Sequence, residues 1–549
     1  MDVHRGCVAS QIGKSVCGAP TNIRLLYLVK HHSIEFQYQF HHRNLQKEAK
    51  LALHFQILTR FQPAHSNRPV SAFPQLALML EYEQLHFQRT GMRLRHPNSL
   101  QCRLLSSSRF FLKSNTSPMT APSLDRSRFF LFLTLLITLN NGDAMSQVPK
   151  ANEDESLVVM SPLPDPLRRV DGTLISDAKD WPTQRARWMK LIAEHEYGIA
   201  PTERADVTWE LVEEGLMNND KTRRQQFVVH LKTAAASLDI DFALFSPNQS
   251  GKVKGTFLGL NFQGNHTVDS SPALRLPKSW VANDTKTGIT ENKAIEATRG
   301  AQDRRWPIAE MTDRGYAVAT AYYGDIDPDF DDGFKNGVHS LFPSHRASPE
   351  HRDRWGSIAG WAWGLSRLMD VLIQQPNINP DRVAVIGHSR LGKTALWAGA
   401  SDPRFAMVIA NNSGCGGAAL ERRNFGETVA RINTSFPHWF CPKFKDYNQN
   451  DAAMPFDQHT IVACIAPRPV YIASATKDLW ADPKGEYLSG WYASPVYQLL
   501  GYNGLPSEVT PQPDTSVGDR IGYHNRTGAH DILSYDWQQY MNFADRHWK

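Results

Sequence analysis

Ser389 stands between a β-rich run and a helical one, in Val383-Ala-Val-Ile-Gly-His-Ser-Arg-Leu-Gly-Lys-Thr-Ala-Leu-Trp397. A serine in a tight turn from strand to helix presents its Oγ above a sheet. The first helical turn leaves N–H groups without intrahelical partners beside that oxygen. Such a serine is suited to attack on a carbonyl, and the Arg390 amide then points to where an oxyanion would form. The spacing departs from G-x-S-x-G, because Leu391 holds the last place and Gly392 comes one later. Two other readings of the turn compete: an ordinary capping serine, and a phosphate loop suggested by Gly392-Lys-Thr394, which no acidic strand end downstream supports.

A serine nucleophile needs a base and an acid. His530, in Tyr523-His-Asn-Arg-Thr-Gly-Ala-His-Asp531, reads as the base on a turn-rich loop before the last helix, with His524 as its rival. It would take the serine proton and return it to the leaving alcohol. Asp478 reads as the acid, since it follows an apolar run at 469–475 and gives the chain order Ser, acid, His. Asp482 is its rival.

These residues need a sheet to carry them. A helix is expected over 182–197, then alternating strands at 207–212, 226–231 and 238–245. Short apolar runs follow at 255–261, 316–321, 382–386, 407–410 and 469–475, separated by helical patterns at 356–374 and 391–400, and a helix at 537–543 closes the chain. Short apolar strands alternating with helices imply a mainly parallel sheet covered on both faces. The fold class is therefore α/β, a three-layer sandwich of the α/β-hydrolase kind with antiparallel strands at its N-terminal side. No repeat of 20–50 residues is visible.

With 549 residues, 41% hydrophobic and 21% charged, the chain is not collagen-like, a coiled coil or wholly disordered. Its net charge of +5 is unevenly spread. Residues 1–118 carry 15 Lys/Arg against 5 Asp/Glu, whereas residues 145–549 carry 43 against 48. A nucleic-acid role for the whole chain is not expected. Residues 1–118 show no sustained period and no ligand spacing among Cys7, Cys17 and Cys102, and read as disordered or absent from the mature protein. Arg126 and Arg128 precede an apolar run at 129–139 and a polar end at Ala144. The run is too short to span a bilayer and has the parts of a secretory signal, starting at Met119. The expected organisation is thus a signal at 119–144, a leader at 145–180 and one catalytic domain at 181–549, secreted or periplasmic, with no stable membrane anchor. Export permits one disulfide among Cys415, Cys441 and Cys464, with the pair left open.

Gly387-His-Ser-Arg-Leu-Gly-Lys393 resembles the G-C-S-R-x-G-K signature of glucuronoyl esterases, carbohydrate esterase family 15, in its bacterial form. The resemblance continues through Tyr322–Phe330, Asn412-Ser-Gly-Cys-Gly-Gly417, 433–440 and Thr527-Gly-Ala-His530. It implies a serine esterase of α/β-hydrolase fold that needs no metal or organic cofactor. Such an enzyme cleaves the ester between 4-O-methyl-glucuronate of glucuronoxylan and lignin alcohols, and a monomer is expected. Carried over residue by residue, it implies Ser389 as nucleophile, Arg390 as oxyanion holder and His530 as base. Lys393, Glu427 and Trp480 are implied as substrate-binding residues. The chain departs from the family where better-known members carry Glu before Ser-Gly-x-Gly-Gly; here Asn412 stands in that place, so another acid must serve, Asp478 with Asp482 as its rival.

Other patterns carry less. Asp325–Gly333 lacks the Gly and Glu of a calcium loop at the required positions. Trp355, Trp361 and Trp363 could form a sugar platform, but two of them lie in the 356–374 helix, where packing is the simpler reading. Two competing functions remain at this level: hydrolysis of another carbohydrate or acetyl-xylan ester, and a catalytically weak carbohydrate-binding homologue, the latter suggested by Asn412 alone.

Overall fold

The computed structural model describes residues 150–548 and two backbone strands near the N-terminus. Those strands, β1 (Thr21–Val29) and β2 (His32–Phe40), pair antiparallel with Thr21 opposite Phe40. They belong to a unit separate from the one that holds the site. No strand was expected there from the sequence. The proposed signal at 119–144 lies outside the described residues.

The main sheet has ten strands: β3 (Asp206–Met217), β4 (Thr222–Lys232), β5 (Ser237–Pro247), β6 (Gly255–Asn261), β7 (Tyr316–Tyr322), β8 (Val383–His388), β9 (Met407–Asn411), β10 (Val470–Ala475), β11 (Val517–Gly518) and β12 (Ile521–Arg526). Their spatial order is β11-β12-β10-β9-β8-β6-β7-β5-β4-β3. The six strands from β12 to β7 are parallel, and β5, β4 and β3 continue antiparallel at one side. The expected α/β architecture is the observed one.

Successive residues of a strand face opposite sides of a sheet, and the packing follows that period. Val383 and Val385 of β8 enter one apolar core, with Val408 and Ala410 of β9 and Val470 and Ile472 of β10. That core is closed by α1 (Trp181–Ile192), α2 (Ser357–Leu372), α3 (Arg390–Ser401), α4 (Gln458–Ile465) and α5 (Pro483–Leu499). The intervening residues, Ala384, Ile386, Met407, Ile409, Tyr471 and Ala473, enter a second core closed by Trp537, Tyr540 and Met541 of α6 (Ser534–His547). Both faces are covered, which is why the central strands read as unbroken apolar runs.

Three elements differ from the sequence reading. The helix expected over 182–197 ends at Ile192 and continues as a π-turn over Ala193–Tyr197. α5 carries an internal Pro495 and two glycines, which weaken the helical signal in its sequence. The stretch read as a loop before His530 begins as β12, parallel to β10, so the loop starts only at Thr527. The segment read as a leader is tied to the domain: Trp188 Nε1 and Gln184 Nε2 donate to Pro166 O, and Glu155 pairs with Arg423 at 2.7 Å.

Candidate active site

β8 ends at His388 and α3 begins at Arg390, so Ser389 alone makes the turn. Its φ of 59° and ψ of −129° are unfavourable for a residue with a Cβ. The turn survives because the chain passes through it with no room to relax. A Cβ on Gly387 would stand 1.8 Å from Leu391 O, so only glycine permits the strand and helix to approach this closely. Residues 387–394 do satisfy the letters of G-x-x-x-x-G-K-T. A phosphate loop, however, needs an open loop of backbone N–H groups, and here helix follows strand after one residue.

The other site residues come from neighbouring strand ends. Asp478 follows β10 and His530 follows β12, and Asp478 Oδ2 lies 2.6 Å from His530 Nδ1. The His530 ring packs against His388, the residue before Ser389, with centroids 4.5 Å apart. Burial, with His530 nearby, pushes His388 well below the ordinary imidazole range. The two rivals are engaged elsewhere. His524 is buried between Asp536, 2.8 Å from Nε2, and the Tyr471 hydroxyl. Asp482 pairs with Arg423 at 2.8 Å and accepts from Gly485 N to cap α5.

Arg390 reaches from the first turn of α3 to Asp329, with which it makes a short ion pair. Its guanidinium lies over Trp439 at 4.7 Å and is flanked by Phe436 and Phe262. Asp329 also accepts from Trp439 Nε1 at 2.7 Å and Tyr323 OH at 2.9 Å, and lies 2.8 Å from His438 Nε2. Burial pushes the Asp329 carboxyl up, but His438, Arg390 and Trp439 together hold it well below the usual carboxylate range. A guanidinium pinned in this way keeps its charge beside the turn without waiting for a rotamer change.

On the other side of the turn, Lys393 is buried and donates to Ser413 O and Cys415 O, each at 2.6 Å. Its Nζ is 3.7 Å from Glu427. Burial raises the Glu427 carboxyl, while Lys393 and a hydrogen bond with Trp480 act against it. Trp480 is 41% exposed, so it is not a core aromatic. Lys393, Glu427 and Trp480 therefore form one connected wall, two members buried and one open to solvent.

With this geometry in place, the chain can be set beside known proteins. The sequence model of a family described as "Glucuronyl esterase, fungi" matches residues 348–501. A carbohydrate esterase from an unknown prokaryotic organism, MZ0003, is 43% identical over 418 residues, covering 76% of this chain and 96% of the relative. A solved "promiscuous CE15 esterase from the marine bacterial metagenome" is 45% identical with a TM-score of 0.68, covering 72% of this chain and 100% of that one. The 4-O-methyl-glucuronoyl methylesterase of Schizophyllum commune is 27% identical over 350 residues, 62% of this chain and 74% of the relative.

The chain belongs to the glucuronoyl esterase family, carbohydrate esterase family 15.

It is accordingly a carboxylic ester hydrolase. Several residues that shape the site of this family member were not singled out from the sequence. Asp329 was weighed only within the Asp325–Gly333 calcium-loop pattern, and its spacing from Arg390 gives no hint of contact. Arg526 is another. Its Nη2 donates to Ala529 O and Asp531 O, the carbonyls on either side of His530, while Nε donates to buried Asp536. Glu486, from α5, accepts from the backbone N–H groups of Ser413 and Gly414 and from the hydroxyls of Ser413 and Ser474. Burial pushes its carboxyl up to about 7. It holds the segment whose carbonyls receive Lys393.

The remaining patterns are structural. Trp355 and Trp361 are fully buried, and Trp361 Nε1 donates to Asp327 O. Asp325 accepts from Ser279 Oγ, and among the described residues no group of His, Cys, Asp and Glu side chains is arranged to hold a metal ion. Cys415, Cys441 and Cys464 are buried free thiols. No helix among the described residues is long and apolar enough to cross a membrane.

Proposed function

We propose that this enzyme hydrolyses the ester between the carboxyl of a 4-O-methyl-glucuronate side group and an alcohol, by acyl transfer through Ser389, His530 and Asp478. The single observation that carries the reading is the 2.6 Å contact of Asp478 Oδ2 with His530 Nδ1, at strand ends beside the strained Ser389 turn.

Ser389 Oγ attacks the ester carbonyl while His530 Nε2 takes its proton. Asp478 keeps the proton on Nδ1 and offsets the charge of the imidazolium. The carbonyl oxygen becomes an oxyanion, met by the Arg390 amide at the positive end of α3 and by the adjacent guanidinium. Collapse breaks the bond to the alcohol, which leaves with the proton from His530. A water then repeats the sequence on the acyl-serine and releases the uronic acid. Lys393, Glu427 and Trp480 are assigned to the sugar, by their carry-over from the family and by the wall they form. Lignin alcohols are the alcohol class assigned to the natural ester.

Benzyl glucuronate assayed beside an acetylated sugar tests the reading. Rapid cleavage of the uronate with little cleavage of the acetate is expected, and the reverse preference would overturn it. Export is part of the proposal and rests on the Arg126, Arg128 and 129–139 pattern. Sequencing the N-terminus of protein from its native host is expected to give a start near residue 145, and a mature protein starting at Met1 would refute it.

A further inference from the structure

Asp478 Oδ2 receives a second contact besides His530. Asn412 Nδ2 stands 2.7 Å from the same oxygen. The orientation of the amide follows from chemistry, since its oxygen could not face a carboxylate and its N–H can. Asn412 is buried, and its φ of 46° is the left-handed conformation that asparagine tolerates better than most residues. Its backbone is held on both sides: Asn412 N donates to Ala473 O at 2.7 Å, and the next two N–H groups donate to Glu486. The side chain is therefore delivered to Asp478 by a rigid corner after β9. Asn412 Oδ1 is buried without a partner, so the corner is kept in spite of an unsatisfied acceptor.

We propose that Asn412 is a positioning residue for the reaction. Its amide N–H fixes the rotation of the Asp478 carboxylate and withdraws part of the negative charge that Oδ2 presents to His530. An oxygen that accepts two donors is held in one plane, where it stays aligned with Nδ1. The same donor weakens the attraction between Oδ2 and the imidazolium, so His530 sheds its proton and becomes a competent base at lower pH than it would beside an unshared carboxylate. The amide thus tunes a base through a second residue, without touching substrate. This inference rests on the Ser389, His530 and Asp478 assignment above.

The other charged groups around His530 do not take over this role. His388, at the end of β8, is held neutral by burial. Arg526, on β12, is committed to Asp536, and Asp531 to Arg305. Glu486, from α5, is tied to the Ser413 corner. Among the described contacts, Asn412 is the group that shares Oδ2 with the imidazole.

The test uses Asn412→Leu, which keeps the branched shape and cannot donate, and Asn412→Ser, which is small and too short to reach Oδ2. Two readouts are taken on the full chain: the pH profile of kcat/KM with benzyl glucuronate, and the NMR titration of 13C-labelled His530. In both variants the acid limb and the His530 midpoint are expected to move to higher pH. On the acid limb, kcat/KM should fall by about threefold more than on the plateau, the size of a modest change in one hydrogen bond to a charged group. An acid limb and a midpoint that coincide with the wild type in a folded variant would overturn the proposal, whatever happens to the plateau. If the wild type cleaves no glucuronate ester, the proposed substrate fails, while the His530 titration still decides this inference.

Discussion

Asp478 Oδ2 lies 2.6 Å from His530 Nδ1, and the two residues leave neighbouring parallel strands, β10 and β12, at the same end. Residues 52 positions apart in the chain meet because Ala475 and Arg526, the last residues of those strands, stand opposite each other in the register. Thr476 and Gly528 then tie the two loops directly, through Gly528 N to Thr476 Oγ and Lys477 N to Gly528 O. The pair is thus set by the sheet and not by the flexibility of its loops.

Removal of the proposed nucleophile is the first check. Ser389→Ala is expected to lower kcat by several orders of magnitude, as other triad knockouts do, and to leave the fold intact. Because the φ of 59° is equally unfavourable for alanine, the substitution should neither relieve nor add backbone strain. Circular dichroism and steady-state kinetics on one preparation decide it. Turnover near wild type would mean another nucleophile.

The proposed acid is tested by Asp478→Asn, which keeps the size and removes the charge. By analogy with triad aspartates, kcat should fall by roughly 10²–10⁴-fold with little change in KM. Asn412→Glu places a carboxylate on the corner that already reaches Asp478. It is expected to restore part of kcat in the Asp478→Asn background; in the wild type it replaces the amide donor with a second carboxylate beside Asp478 Oδ2, and kcat/KM is expected to fall, most on the acid limb.

Arg526 makes a prediction that separates position from charge. Its fork grips the carbonyls flanking His530 while pairing with buried Asp536. Arg526→Ala removes the guanidinium from buried Asp536, which keeps only His524 and the Leu533 N–H as partners, and is expected to cost about 1–3 kcal/mol. Arg526→Lys keeps the charge but not the fork, so a smaller loss of stability with a clear drop in kcat is expected. Denaturant melts and kinetics of both variants test this. Unchanged kcat in a folded Arg526→Lys variant would show that the loop holds itself.

Two buried acids should give the stability curve opposite slopes. Asp329 is held below its ordinary value by His438, Arg390 and Trp439 against the effect of burial. A depressed folded value means stability that is present above the unfolded value of 3.8 and lost as pH falls below it. Glu196 is the reverse: burial pushes it up to about 8 from 4.5. The folded state then binds the extra proton, so its contribution is full below pH 4.5 and fades as pH rises through 8. Thermal midpoints across pH should fall more slowly below pH 4 in Asp329→Asn than in the wild type. In Glu196→Gln they should fall more slowly between pH 5 and 8.

Much of this site was legible from the residues alone. Gly387-His-Ser-Arg-Leu-Gly places a serine between an apolar strand and a helix, and those are local preferences that act within a dozen residues. Chain order and the apolar run before Asp478 pointed to one acid over its neighbour, and alternating apolar segments announced a covered sheet. What the sequence could not decide is who meets whom. Asp329 reaches Arg390 from 61 positions away, and Asn412 reaches Asp478 from 66. Arg526 looked like one more loop residue until β12 placed it beside Asp536. These contacts depend on strand order and register, in which parallel neighbours are joined by long crossovers. A side chain's partner is then fixed by the three-dimensional stacking of strands, and no short-range preference encodes it.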